Sequence, residues 1–186
     1  MIIQNENDMM QIANDLGEYV LININKNYVI HLRGDLGAGK TTFVKGFMQG
    51  MKFPELVNSP TFSLIERIEL ERHYVFHVDL YRIDNKAELF DLDLHEESSM
   101  DKPSIHLIEW PEKGSEVILD PDMQIEFEMM DNPDHREVFF KDFSASILKK
   151  LLFFLISILS ISNLLLNSYT IHSSKSAVKT CPSSLT

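Results

Sequence analysis

Cysteine is nearly absent from this 186-residue chain: Cys181 stands alone, so no internal disulfide can form. That excludes the disulfide-stapled secreted classes and suits a cytoplasmic protein. Basic residues are scarce too, 17 lysines and arginines against 28 aspartates and glutamates, for a formal charge of −11. The deficit lies in residues 1–140, which hold 12 basic and 27 acidic side chains. Residues 141–186 reverse the sign, with five lysines and one aspartate. An acidic body lacks the cations that displace counterions from nucleic acid, so it is a poor stand-alone RNA ligand. If the protein serves RNA chemistry, a basic partner is expected to hold the RNA. The opening Met1-Ile2-Ile3-Gln4-Asn5-Glu6 has neither a basic start nor an apolar export core, and reads as no signal peptide. No internal repeat is present. The length suits one domain with a real core and an appendage.

What is present begins with Asn7 to Leu16, whose polar cap and apolar spacing predict an amphipathic helix. Tyr28-Val29-Ile30-His31-Leu32 reads as a buried strand, and Thr42 to Met48 as a helix ending near Gly50. Further strands are expected over Thr61–Ile68, Tyr74–Tyr81 and Ser104–Trp110, with a short helix from about Lys86 to Leu92. Met123–Met130 and Glu137–Phe143 flank the turn Asp131-Asn132-Pro133-Asp134 and read as a hairpin. A helix-poor middle and a late hairpin point to an α/β fold with a mixed sheet flanked by helices.

Between the first strand and its helix lies Gly34-Asp35-Leu36-Gly37-Ala38-Gly39-Lys40-Thr41, which fits G-x-x-x-x-G-K-[ST] at every fixed position. Strand, loop and helix in that order are the setting a phosphate-binding loop requires. The glycines let backbone N–H groups turn inward, and the helix start adds its positive dipole end. Lys40 is placed to reach the β- and γ-phosphates, and the Thr41 hydroxyl to ligate magnesium.

Three further segments narrow the chemistry. In His77-Val78-Asp79-Leu80-Tyr81-Arg82, Asp79 ends an apolar strand as a magnesium-holding Walker-B residue does, or is a surface aspartate at a strand end. Glu109 ends Ile105-His106-Leu107-Ile108 before Trp110-Pro111; it is a magnesium ligand or water-orienting group, or an edge carboxylate with Trp110 filling the core. Asn58-Ser59-Pro60-Thr61-Phe62 offers Thr61 as a γ-phosphate sensor, or is an ordinary turn into a strand. His31, His73, His77, His95 and His106 lack paired metal-ligand spacing and read as structural. Asn85-Lys86-Ala87-Glu88 differs from a guanine-reading N-K-x-D in its last residue, and no D-x-x-G accompanies it.

Taken together, the loop with Thr42-Phe43, Ser59-Pro60-Thr61-Phe62, His77 to Arg82, and Ile108-Glu109-Trp110-Pro111 resemble the TsaE (also YjeE) family of small bacterial P-loop ATPases. The resemblance runs from near residue 8 to about residue 143 and leaves the tail uncovered. It implies a P-loop NTPase-like ATPase that works with TsaB-like and TsaD-like partners, which hold the tRNA. That assembly forms threonylcarbamoyladenosine in tRNAs reading codons that start with A, and ATP hydrolysis resets it between turnovers. It implies further that Gly37, Ala38, Gly39, Lys40, Thr41 and Thr42 bind ATP phosphates. Thr41 and Glu109, with Asp79 as the second acidic group, would hold magnesium and support hydrolysis. Arg136 would lie near the nucleotide, and the segment around Met9 and Met10 near the adenine. No dedicated arginine finger is evident in these motifs, which points to a partner completing the site.

The domain is therefore read as residues 1–146, with 147–186 as an extension. Its apolar run Leu151 to Ile161 follows Lys149-Lys150 and is shorter than the about 20 apolar residues a bilayer span needs. Three readings of it stay open: a helix packed on the domain or a partner, a membrane-contacting anchor, or a fusion or readthrough sequence. For the domain, a nucleotide-gated binding module and a small-molecule kinase remain the alternatives to an ATPase.

Overall fold

A computed structural model of the chain describes residues 1–83, 89, 100–114 and 117–142. The tail, most of the expected helix over 86–92 and the Asn85–Glu88 segment lie outside the described residues. The described residues belong to a compact unit spanning Met1–Leu148.

Helix α1, Glu6–Asn23, starts where the Asn5 side chain accepts from the Asp8 N–H at 3.0 Å, with Glu6 and Asp8 in its first turn. Carboxylates there complement the helix dipole. Met9, Ala13, Leu16 and Val20 form its buried stripe. Helix α2, Lys40–Gly50, buries Phe43, Val44, Phe47 and Met48. The strands are β1 (Ile2–Ile3), β2 (Tyr28–Gly34), β3 (Ile65–Glu69), β4 (Tyr74–Asp79), β5 (Ser104–Glu109), β6 (Met123–Met129) and β7 (Arg136–Asp142). They form one mixed sheet in the order β1-β7-β6-β2-β5-β4-β3. Strands β6, β2, β5 and β4 run parallel, whereas β3, β7 and β1 pair antiparallel with their neighbours.

Several boundaries differ from those the sequence predicts: α1 runs on past Leu16 to Asn23, and β4 stops at Asp79 rather than Tyr81. Thr61 to Ser63 form a turn rather than a strand: Leu64 donates to the Pro60 carbonyl at 2.7 Å and sits at φ 62°. Strand β5 stops at Glu109 because Trp110 takes a left-handed conformation, φ 58°. Strand β1, absent from the sequence reading, pairs Ile3 with Arg136.

Register sorts the sheet into two faces. Ile30, Leu32, Leu107, His77, Asp79 and Glu109 share one face, and Val29, His31, Ile108, Phe76 and Val78 the other. The second face is covered by an apolar layer that includes Leu80, Ile83, Leu89, Ile118 and Leu119. On that face His31 Nε2 lies 2.9 Å from the Leu119 carbonyl, and burial pushes the imidazole down to about 4. Helix α2 begins against the first face, and α1 packs on α2. A Cβ on Gly50 would lie 2.1 Å from the Asn14 carbonyl oxygen, and one on Gly17 would lie 2.2 Å from that of Phe47. The two helices are therefore in backbone contact, and only glycine fits at the crossing.

Gly50→Val is expected to cost about 2–3 kcal/mol, read as a lower urea midpoint at unchanged slope. The His31 imidazole binds its proton more readily in the unfolded chain, so its contribution to stability is complete above about pH 6.5 and is lost as pH falls towards 4. Across that window the wild type should lose up to about 3 kcal/mol more than His31→Gln, measured by denaturant unfolding at each pH.

Candidate functional site

The parallel strands deliver their C-terminal ends to one edge, where open α/β sheets bind ligands. In register, Asp79 lies opposite Glu109, and Glu109 opposite Leu32, two residues before Gly34. The loop from Gly34 to Gly39 turns on left-handed glycines, Gly37 at φ 80° and Gly39 at φ 104°. Gly39 opens α2 with no side-chain cap and no acidic residue in the first turn. Uncapped N–H groups at a helix start form a ready anion site. The Ala38 N–H is already committed to the Asp35 carbonyl at 3.1 Å, so Ala38 shapes the loop from within.

Lys40 is buried, with Nζ 2.7 Å from the Gly34 carbonyl and 2.9 Å from that of Asp35. The same ammonium sits 3.8 Å from the centroid of the Trp110 ring. Burial pushes its pKa below the usual lysine value, against the opposing pull of Glu109, Glu112, Asp79 and Asp35. One residue on, Thr41 Oγ1 lies 3.1 and 3.2 Å from the two Glu109 carboxylate oxygens. Glu109 also receives His77 Nε2 at 2.9 Å. Asp79 accepts from the Ser59 hydroxyl and, at 3.0 Å, from the Tyr81 N–H. Thr61 leans on the Ser59 carbonyl at 3.2 Å.

These groups surround a cavity of about 340 Å³ lined by Lys40, Thr41, Thr61, Asp79, Glu109 and Trp110, among others. A second cavity of about 230 Å³ lies across the loop, lined by Met9, Gly37, Ala38, Gly39, Thr42 and Arg136, among others. Arg136 spans the rim there: its guanidinium donates to the Gly37 carbonyl at 3.1 Å and to Pro133 at 2.6 Å. Residues far apart in sequence thus line one edge of the sheet on either side of the loop.

The family model described as threonylcarbamoyl adenosine biosynthesis protein TsaE matches residues 3–138. The chain belongs to the TsaE family. The relative of that name from Haemophilus influenzae is 33% identical over 137 residues, covering 73% of this chain and 85% of the relative. Its counterpart from Aquifex aeolicus is 33% identical over 133 residues, covering 70% and 87%. Among solved structures, Bacillus subtilis YdiB superposes with a TM-score of 0.61 at 25% identity, over 81% of this chain and 91% of that one.

Within this TsaE-family domain, Lys40, Thr41, Asp79 and Glu109 meet in the first cavity, while Ala38 and Arg136 line only the second. Gly37, Gly39 and Thr42 border both. Sequence reasoning missed four contributors. His77 touches Glu109, Ser59 rather than Thr61 touches Asp79, Trp110 underlies Lys40, and Arg82 lines the first cavity with its guanidinium over the Phe62 ring. His77 alone had a signal, since residues two apart on a strand share a face with Asp79. Among the described residues no helix is long and apolar enough to cross a membrane.

A double-mutant cycle of Lys40→Met and Trp110→Leu should give a coupling of about 1–2 kcal/mol in unfolding free energy, the worth of a desolvated cation–π contact. Additive losses would show that the ring does not hold the ammonium.

Proposed function

We propose that this protein is the ATP-binding and ATP-hydrolysing subunit of a cytoplasmic assembly with TsaB-like and TsaD-like partners. That assembly forms threonylcarbamoyladenosine in tRNAs reading codons that start with A. The observation that carries the reading is the Thr41 hydroxyl resting on the Glu109 carboxylate, one residue beyond a lysine folded into a phosphate-type loop. The relatives' name, tRNA threonylcarbamoyladenosine biosynthesis protein TsaE, supplies the pathway. The acidic body fits a subunit that leaves tRNA contact to its partners.

The residues fit magnesium held jointly with a nucleotide. Among the described residues no three His, Cys, Asp or Glu side chains group to hold a metal by themselves. Magnesium typically takes one or two carboxylates and completes its shell with phosphates and water. Asp79 and Glu109 are buried at 5% and 2% exposure, so a triphosphate entering beside them meets repulsion that a divalent ion relieves. Thr41 and Glu109 would hold that ion, with Asp79 as the second acidic group. When bound, it supplies positive charge for the β- and γ-phosphates.

The chain's own work is positioning. Lys40 exchanges its carbonyl contacts for phosphate oxygens, and the uncapped start of α2, with Gly37 to Thr42, cradles the phosphates. The second cavity, with Met9 on one wall and Arg136 on another, suits the nucleoside end. The reaction is in-line attack of water on the γ-phosphate.

Phosphate release should be slow for the isolated protein and rise when TsaB-like and TsaD-like proteins are added. Lys40→Ala is expected to weaken ATP binding about 10- to 100-fold, the loss of a charged hydrogen bond. Undiminished tRNA modification by Glu109→Ala would replace hydrolysis with a nucleotide-gated binding role. Transfer of labelled phosphate to a small-molecule acceptor would make the protein a kinase.

A further inference from the structure

The buried imidazole of His77 is only half satisfied. The ring is fully buried, at 0% exposure, on the same face of β4 as Asp79. Its Nε2 lies 2.9 Å from Glu109 Oε1, and among the described residues its Nδ1 has no hydrogen-bond partner. A carboxylate only accepts, so the contact assigns the ring proton to Nε2. An unpaired nitrogen in the interior is unfavourable. An apolar side chain of similar size would avoid that cost while filling the same space. Among the described residues, the hydrogen bond this ring makes goes to the carboxylate that faces the cavity.

Glu109 needs such a contact. The terminal torsion of a glutamate is broad, so a carboxylate held at one point swings. Thr41 touches both carboxylate oxygens, but it has a single proton and stands at the mouth of the loop. In the reading above, its oxygen also serves the ion. His77 approaches from a different element, the buried interior of β4. We infer that His77 is a positioning residue: its Nε2–H pins Glu109 Oε1 and fixes how the carboxylate is presented beside Thr41 to a divalent cation. This rests on the nucleotide-and-magnesium reading of the site.

The test uses Mn2+ as the probe, titrated into the full chain saturated with a non-hydrolysable ATP analogue and followed by the electron paramagnetic resonance signal of the free ion. Nucleotide affinity without metal is measured in parallel. His77→Leu and His77→Asn should weaken Mn2+ uptake about 10- to 100-fold, the usual loss when a ligand's supporting contact is removed. Their metal-free nucleotide affinity should not change. His77→Gln, whose amide nitrogen reaches where Nε2 does, should recover most of the wild-type Mn2+ affinity. In a Glu109→Gln background, His77→Leu should have no further effect. Equal Mn2+ affinity across the His77 series would make His77 a packing residue and overturn the inference, with the site reading intact. If His77→Leu does not fold, the contrast between Gln and Asn decides in the same way. Failure of the wild type itself to take up Mn2+ with the analogue would instead overturn the reading beneath.

Discussion

The parallel register of β4, β5 and β2 is the constraint on which the site depends. It sets Asp79 beside Glu109, and Glu109 beside Leu32, just before the chain leaves the sheet at Gly34. Strand side chains alternate, so a slip of one residue in β5 would turn Glu109 into the apolar layer on the opposite face. What forbids the slip is packing. Val29, Ile108 and Val78 are buried against one layer, and Ile30, Leu32 and Leu107 are buried on the side where α2 begins. Apolar contacts away from the cavity thus decide where two carboxylates meet a loop.

That meeting is costly, and the fold offsets it group by group. Lys40, His77, Asp79 and Glu109 are all buried, a concentration of polar side chains that would destabilise an interior if left unpaired. Each has at least one partner: carbonyls and an indole for Lys40, a hydroxyl and a peptide N–H for Asp79, Thr41 and His77 for Glu109. The result is a set of charged and polar groups held in fixed positions at one edge of the sheet.

Much of this was legible in the residues. The loop announced itself because its glycines, lysine and threonine have fixed spacing, and Asp79 and Glu109 because each ends an apolar run. The hairpin showed through alternation and a polar turn. Other features left no local trace. Strand β1 is two residues long, too short for a period. Thr61 to Ser63 alternate like a strand, but the left-handed Leu64 and its bond to Pro60 close a turn instead. Trp110 leaves the sheet through its own left-handed backbone, which composition does not encode, and so comes under Lys40 while still packing against the apolar layer. His77 lacks metal-ligand spacing and so reads as structural in the sequence, whereas its partner is a carboxylate on the next strand.

Arg136 ties the hairpin to the loop, and its place there is dictated by strand pairing. It opens β7 opposite Met129 of β6 and Ile3 of β1, and its fork closes on the carbonyls of Pro133, His135 and Gly37. The hairpin therefore acts as a gauge: the register of β7 on β6 and β1 sets whether the guanidinium arrives at Gly37 or points to the far side of the sheet. A one-residue shift within β7 would carry Arg136 to the opposite face, and with it the bridge from hairpin to loop would be lost.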